Sequence, residues 1–319
     1  MRRNTSESGT SGKSRNPLGK SDTHSTYSLF HGTGFWTFST SGIKSFLFLS
    51  ALAVLLGSCV NLRHVNEFSA TSVESIGQYE KIPVNFSEIC LQDCRQEHIR
   101  NYEIQTTDCD CTQNQKADSI TRIMYEAARD YFQGLSEISQ NELTEYRTDD
   151  FTQALTSGNF GPLKLNESDV KAYSDISTLL MRAFTDGFRR KKIKEYVAQA
   201  HGPLLKLLEF LELNLAGNLH GKLEVQKGSL KNFYFDFIKD KNLSDYERTK
   251  FAEDYFHKVS EIEAHQQELD AYAKVLGEIG DGHTALYNNV SNMTDDEVRR
   301  ELGRYSNQLS RTASSIQRR

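Results

Sequence analysis

Apolar residues recur along most of this chain at helical rather than strand spacing. Phe68, Ile76, Tyr79, Ile82, Phe86 and Ile89 form a loose stripe, which Pro83 must kink or divide, because proline lacks an N–H and its ring clashes with the preceding turn. A clearer helix is expected over Lys116–Gln140, where Ile120, Met124, Ala127, Tyr131, Leu135 and Ile138 share one face. Residues 148–165 contain Gly158, Gly161 and Pro162 and read as a short helix plus loop. Asn166 with Asp169 can cap the next helix, expected to reach about Ala200, where Gly202-Pro203 interrupts it. From Leu204 to Leu215 apolar residues lie nearly all round the helix, which places it centrally in a bundle. Lys206, Glu209 and Glu212 argue against the membrane alternative. Phe233, Phe235 and Phe237 alternate, a pattern that also fits a β-hairpin.

The best periodicity follows Ser244-Asp245-Tyr246-Glu247, a capping-box pattern in which Ser and Glu satisfy free N–H groups reciprocally. Tyr255, Ile262, Leu269, Leu276 and His283 then recur every seven residues, with Tyr272, Ile279 and Leu286 in the intervening position. A helix from Asp245 to Asn288 would be about 65 Å long. Its last third, with Gly277, Gly280 and Gly282, reads as the least secure part. A second capping-box pattern, Thr294 to Glu297, opens a final helix lined by Val298, Leu302, Tyr305, Leu309 and Ile316. With only 4 Pro in 319 residues and no clear internal repeat, the expected fold is all-α: an elongated, mostly antiparallel helical bundle with coiled-coil-like long helices.

Charge changes the picture at the amino-terminal end. Residues 1–45 hold six Lys/Arg and two acids, and residues 46–58 hold no charge, within a chain of net charge −5. The body is therefore acidic, which argues against nucleic acid as a partner. Phe46 to Leu56 reads FLFLSALAVLL. Eleven helical residues span about 16 Å, well short of a bilayer core of roughly 30 Å, and fit the apolar region of a signal peptide with Lys44 on its amino-terminal side.

Leu56-Gly57-Ser58-Cys59 directly follows that run and resembles the lipobox of bacterial lipoproteins. The resemblance covers the export segment only. It implies that Cys59 is joined through its thiol to a diacylglycerol carrying chains such as palmitate, and that cleavage makes Cys59 the mature amino terminus. It also implies a cell-envelope protein whose partner is the lipid bilayer. Val60 stands where many inner-membrane lipoproteins carry Asp, which favours the outer membrane facing the periplasm in a two-membrane cell. The long Ser-, Thr- and Gly-rich stretch 1–45 departs from the pattern. It is either a disordered extension or the product of a start codon assigned too early, although no Met occurs between Met1 and Met124. The expected organisation is leader 1–45, apolar region and lipobox 46–58, lipidated tether 59–67 and helical domain 68–319.

Four further cysteines, Cys90, Cys94, Cys109 and Cys111, fall in a short stretch. In an exported chain they point to two disulfides, with a four-thiolate zinc site as the alternative. Cys90 and Cys94 share a helical face, whereas Cys109 and Cys111 could bond each other only through a strained ring. Cross-pairing is favoured, and the nested form (Cys90 with Cys111, Cys94 with Cys109) suits two antiparallel segments; the crossed form stays open. His265 and His283 lie about 27 Å apart on the long helix, cannot share a site, and read as packing residues. The basic run Arg189-Arg190-Lys191-Lys192 with Lys194 surrounds its helix and reads as a solvated surface, with lipid headgroups as the alternative. The sequons at Asn85, Asn166, Asn242, Asn289 and Asn292 read as chance.

No nucleotide-binding glycine loop, HExxH or GxSxG motif occurs, and nothing calls for a metal or cofactor. The sequence thus points to a non-enzymatic helical spacer or binding module tethered to a membrane, open to a protein partner or self-association through its helical seams. A pore-forming or membrane-remodelling protein and an enzyme with a scattered site are the alternatives.

Overall fold

The computed structural model describes residues 62–103, 109–140, 163–185 and 192–317. Every described residue belongs to one compact unit within residues 60–319. The leader, the apolar run, Cys59, the segment 148–162 and Arg189-Arg190-Lys191 lie outside the described residues.

Among the described residues every regular element is helical and there is no strand. In chain order they are α1 (Arg63–Gly77), α2 (Phe86–Arg100), α3 (Thr112–Gln140), α4 (Glu167–Thr185), α5 (Ile193–Glu212), α6 (His220–Lys239), α7 (Asp245–Asn288) and α8 (Asp296–Gln317). Short 3-10 turns follow α1 and α7. The carboxy-terminal part of α7 is the hub: α1, α5 and α8 pack around it, and α3 packs on α1 and α5. The seam read from the heptads is the buried face, with Ile262, Leu269, Leu276 and His283 inside together with Tyr272, Ile279 and Leu286. Before Ile262 α7 buries nothing fully.

Local signals hold where side chains supply the missing helix-end partners. Glu247 N–H donates to Ser244 Oγ while Glu247 accepts from Ser244 N–H, completing the capping box. Asn166 and Asp169 cap each other's backbone N–H groups at 3.1 and 3.0 Å before α4. Asn85 accepts from Glu88 N–H at the start of α2.

Two expectations fail, and one alternative gives way. Pro203 does not end its helix: α5 passes through it. A proline costs a helix about 3 kcal/mol, and the buried Val197, Ala200, Leu204, Leu207, Leu208 and Leu211 on both sides of it offset that cost by packing. The helix expected from Asn166 to Ala200 is two elements, α4 and α5. Phe233, Phe235 and Phe237 belong to α6, not to a hairpin; Leu223, Gln226, Leu230 and Tyr234, spaced three or four apart, set the face that packs on α7.

The last third of α7 is the most buried part of that helix, with Gly280 and Gly282 inside. A Cβ on Gly282 would lie 2.4 Å from Phe68 Cε2 and 3.3 Å from Tyr305 Cβ. This glycine is where α1 and α8 close on α7.

Between α5 and α6 the helix widens into a π segment, Leu213–Leu219. Inside it Asn214 is buried, donates to Thr121 Oγ1 of α3 at 3.2 Å and accepts from Asn218 Nδ2 at 2.9 Å. The extra residue per turn rotates the register, leaving Leu213 exposed while Leu215 and Leu219 stay inside.

Candidate functional site

Helix α2 is weakly amphipathic, and only Phe86 and Ile89 of its residues are buried. Polar and covalent ties hold it to α3 instead. Asp118 accepts from Phe86 N–H at 2.8 Å and from Ser87 N–H at 3.0 Å, and Asn114 donates to Phe86 carbonyl at 3.0 Å. Two disulfides complete the attachment, Cys90 with Cys111 and Cys94 with Cys109, which is the nested arrangement.

A helix fixed at one face by staples need not fill the space behind its other face. On that side α2 stands off α6 and α7, leaving a cleft of about 630 Å³. Its far end is closed by Arg100, whose Nη2 donates to Ser229 Oγ at 2.8 Å and to the Ser229 carbonyl at 2.9 Å on α6. Ile99 and Val225 form an apolar rim, 51% and 74% exposed. Deeper in the cleft Gln226 Nε2 donates to Gln92 Oε1 at 3.2 Å. Gln226 Oε1 and Gln96 Nε2 are buried and have no hydrogen-bond partner within the protein. One acceptor and one donor therefore stand unused among the lining residues. Burial raises the Asp93 carboxyl above the ordinary carboxylate range, and Lys222 and Gln226 oppose that shift. Lys258 and Glu261 supply charges of α7 along the cleft, and His265 lies beside them.

The histidines separate as their spacing requires. His265 is half-buried in the cleft wall. Its spacing does not reveal the cleft beside it, since the cleft depends on how α2 approaches from a distant part of the chain. His283 is fully buried in the core. Tyr131 Oη lies 2.7 Å from its Nε2, and His201 Nδ1 lies 3.4 Å from its Nδ1. Burial, and then the neighbouring His201, lower His283 to about 3, so the ring is neutral. Burial also raises Tyr131, which keeps its proton and can donate it to Nε2. His201 in turn stacks on Tyr287 with ring centres 4.0 Å apart.

Among the described residues Cys94, His98 and Cys109 bring candidate metal-ligand atoms within 4.8 Å of one another, the two sulfurs being bonded to each other. Of the basic run, Lys194 donates to the Ser291 carbonyl at 2.8 Å. No family model, no curated protein and no solved structure matches the chain.

Proposed function

We propose that the chain is a membrane-tethered envelope lipoprotein, anchored through acylated Cys59, whose helical domain is a non-enzymatic binding module with the α2–α6–α7 cleft as its receptor site. The observation that carries the reading is that the cleft's outer wall is held by two disulfides. Paired disulfides suit an oxidising compartment outside the cytoplasm, in keeping with the export segment. A covalently fixed wall also keeps a recognition surface preorganised.

The lining supports binding more than catalysis. Amides and an apolar rim share it with Asp93, Arg95, Glu97, Lys258, Glu261 and His265, but its one hydroxyl nucleophile, Ser229, is engaged with Arg100. For the pore-forming alternative, no helix among the described residues is long and apolar enough to cross a membrane.

Photo-crosslinking in native membranes tests the receptor role. A crosslinking residue at Val225 or Ile99 should give one discrete adduct, lost when Gln96 and Gln226 are replaced by Leu. The same probe at Arg311 on α8, remote from the cleft, should not give it. Identical adducts from all three positions would contradict the assignment.

A further inference from the structure

Cys94 and His98 are four residues apart on α2 and share a face. Cys109 meets them from the approach to α3, and the three candidate ligand atoms lie within 4.8 Å of one another. All three residues are half-buried, open to solvent yet held by their surroundings.

The histidine is oriented by a carboxylate, with Glu103 Oε2 2.7 Å from His98 Nδ1. Metal-bound histidines carry this pairing: Nδ1–H donates to the carboxylate, which fixes the tautomer and leaves Nε2 with a free lone pair. The backbone is bent to place Glu103 there. Tyr102 adopts φ 57°, a left-handed conformation unfavourable for a residue with a side chain. Its own side chain is 80% exposed. The turn brings Glu103 N–H to the His98 carbonyl at 2.9 Å.

We propose that Cys94, His98 and Cys109 form a redox-gated site for a thiophilic divalent cation of the zinc type. In the oxidised protein the Cys94–Cys109 bond closes the site. A phosphine or thiol reductant opens it: with a phosphine and one water, the S–S bond breaks, the phosphine becomes its oxide and two cysteine thiols form. The cation then displaces both thiol protons and is bound by two thiolates and His98 Nε2, with water at the fourth position. Cys90–Cys111, whose Cys111 sulfur end is buried, is the less accessible bond and keeps α2 against α3 while the outer pair is open. The sulfurs must part to about 3.8 Å for tetrahedral coordination with bonds of about 2.3 Å. Side-chain rotation supplies that movement across a Cα–Cα distance of 5.9 Å.

The test is graded phosphine reduction of the full chain, thiol mapping at each stage, then titration with cobalt(II) or cadmium(II). The expected first product has two free thiols, Cys94 and Cys109. It should bind one metal per chain with thiolate-to-metal charge-transfer absorption, and the unreduced chain should bind none. Glu103→Gln should weaken binding about 10–100-fold, and His98→Ala at least as much. Both variants, kept oxidised, should retain the helical circular dichroism of the parent, so that a folding defect is separated from a lost ligand. Reduction of Cys90–Cys111 first or simultaneously, absence of metal uptake by the two-thiol form, or uptake unchanged by His98→Ala would each overturn the proposal.

Discussion

His283 is a titratable side chain set in the wall of a core, and that has a consequence for stability. Its folded-state value, about 3, lies below the ordinary value of 6.5. Between those values the unfolded chain takes up a proton that the folded chain refuses. The contribution is complete above about pH 6.5 and is lost progressively as pH falls toward 3, at up to about 1.4 kcal/mol per pH unit. His64 and His201, lowered mainly by burial, add to the same slope. Denaturant midpoints measured from pH 7 to pH 4 should fall steadily, and His283→Gln should flatten the curve; an unchanged midpoint would contradict the burial described. Gly282 carries a second residue-scale prediction. Alanine there gains helix propensity worth about 1 kcal/mol but drives a methyl into Phe68. Overpacking typically costs 1–3 kcal/mol, and a rigid buried ring has little room to retreat. Gly282→Ala should therefore lower the denaturant midpoint, whereas Gly277→Ala, with open space around its Cβ, should not. The histidine's place on the seam is legible from its heptad position, and the glycine's role is not. Nothing in the local sequence says that Phe68, more than two hundred residues earlier, comes to rest against it.

At the scale of elements, the predictable features are those whose causes are local. The capping box at Ser244, the reciprocal pair at Asn166 and Asp169, and the buried heptad face of α7 all follow from near neighbours. Features set by distant partners are hidden. Pro203 is carried inside α5 by packing on both sides, and the phenylalanines of α6 follow the period imposed by α7. Helix α2 is a mixed case: the cysteine spacing points to cross-pairing with the segment before α3, but the cleft behind α2 depends on α6 and α7. Because α2 buries so little, the staples should dominate its stability. Complete reduction should cost about 2–4 kcal/mol for the first bond, with less from the second since the loop it closes is already constrained. Hydrogen exchange should then accelerate in α2 (Phe86–Arg100), while the core of α7 around Val275–Leu286 stays protected. Equal acceleration in both would show that α2 is not the separately held element described.

For the whole molecule, the all-α class is legible from periodicity and scarce proline, because a helical bundle is built mostly from local contacts. The cleft at the candidate site is not, since its lining comes from three helices that meet only in the folded chain. The proposed function joins that domain to an anchor at Cys59 and stands or falls with it. Mass spectrometry of the amino-terminal peptide, from protein extracted from its native membrane, tests this most directly. The peptide should begin at Cys59 and carry a diacylglyceryl modification, and Cys59→Ala should release the protein from the membrane fraction. A mature chain that retains residues 1–58, or an unmodified Cys59 thiol in membrane-bound protein, would contradict the anchor.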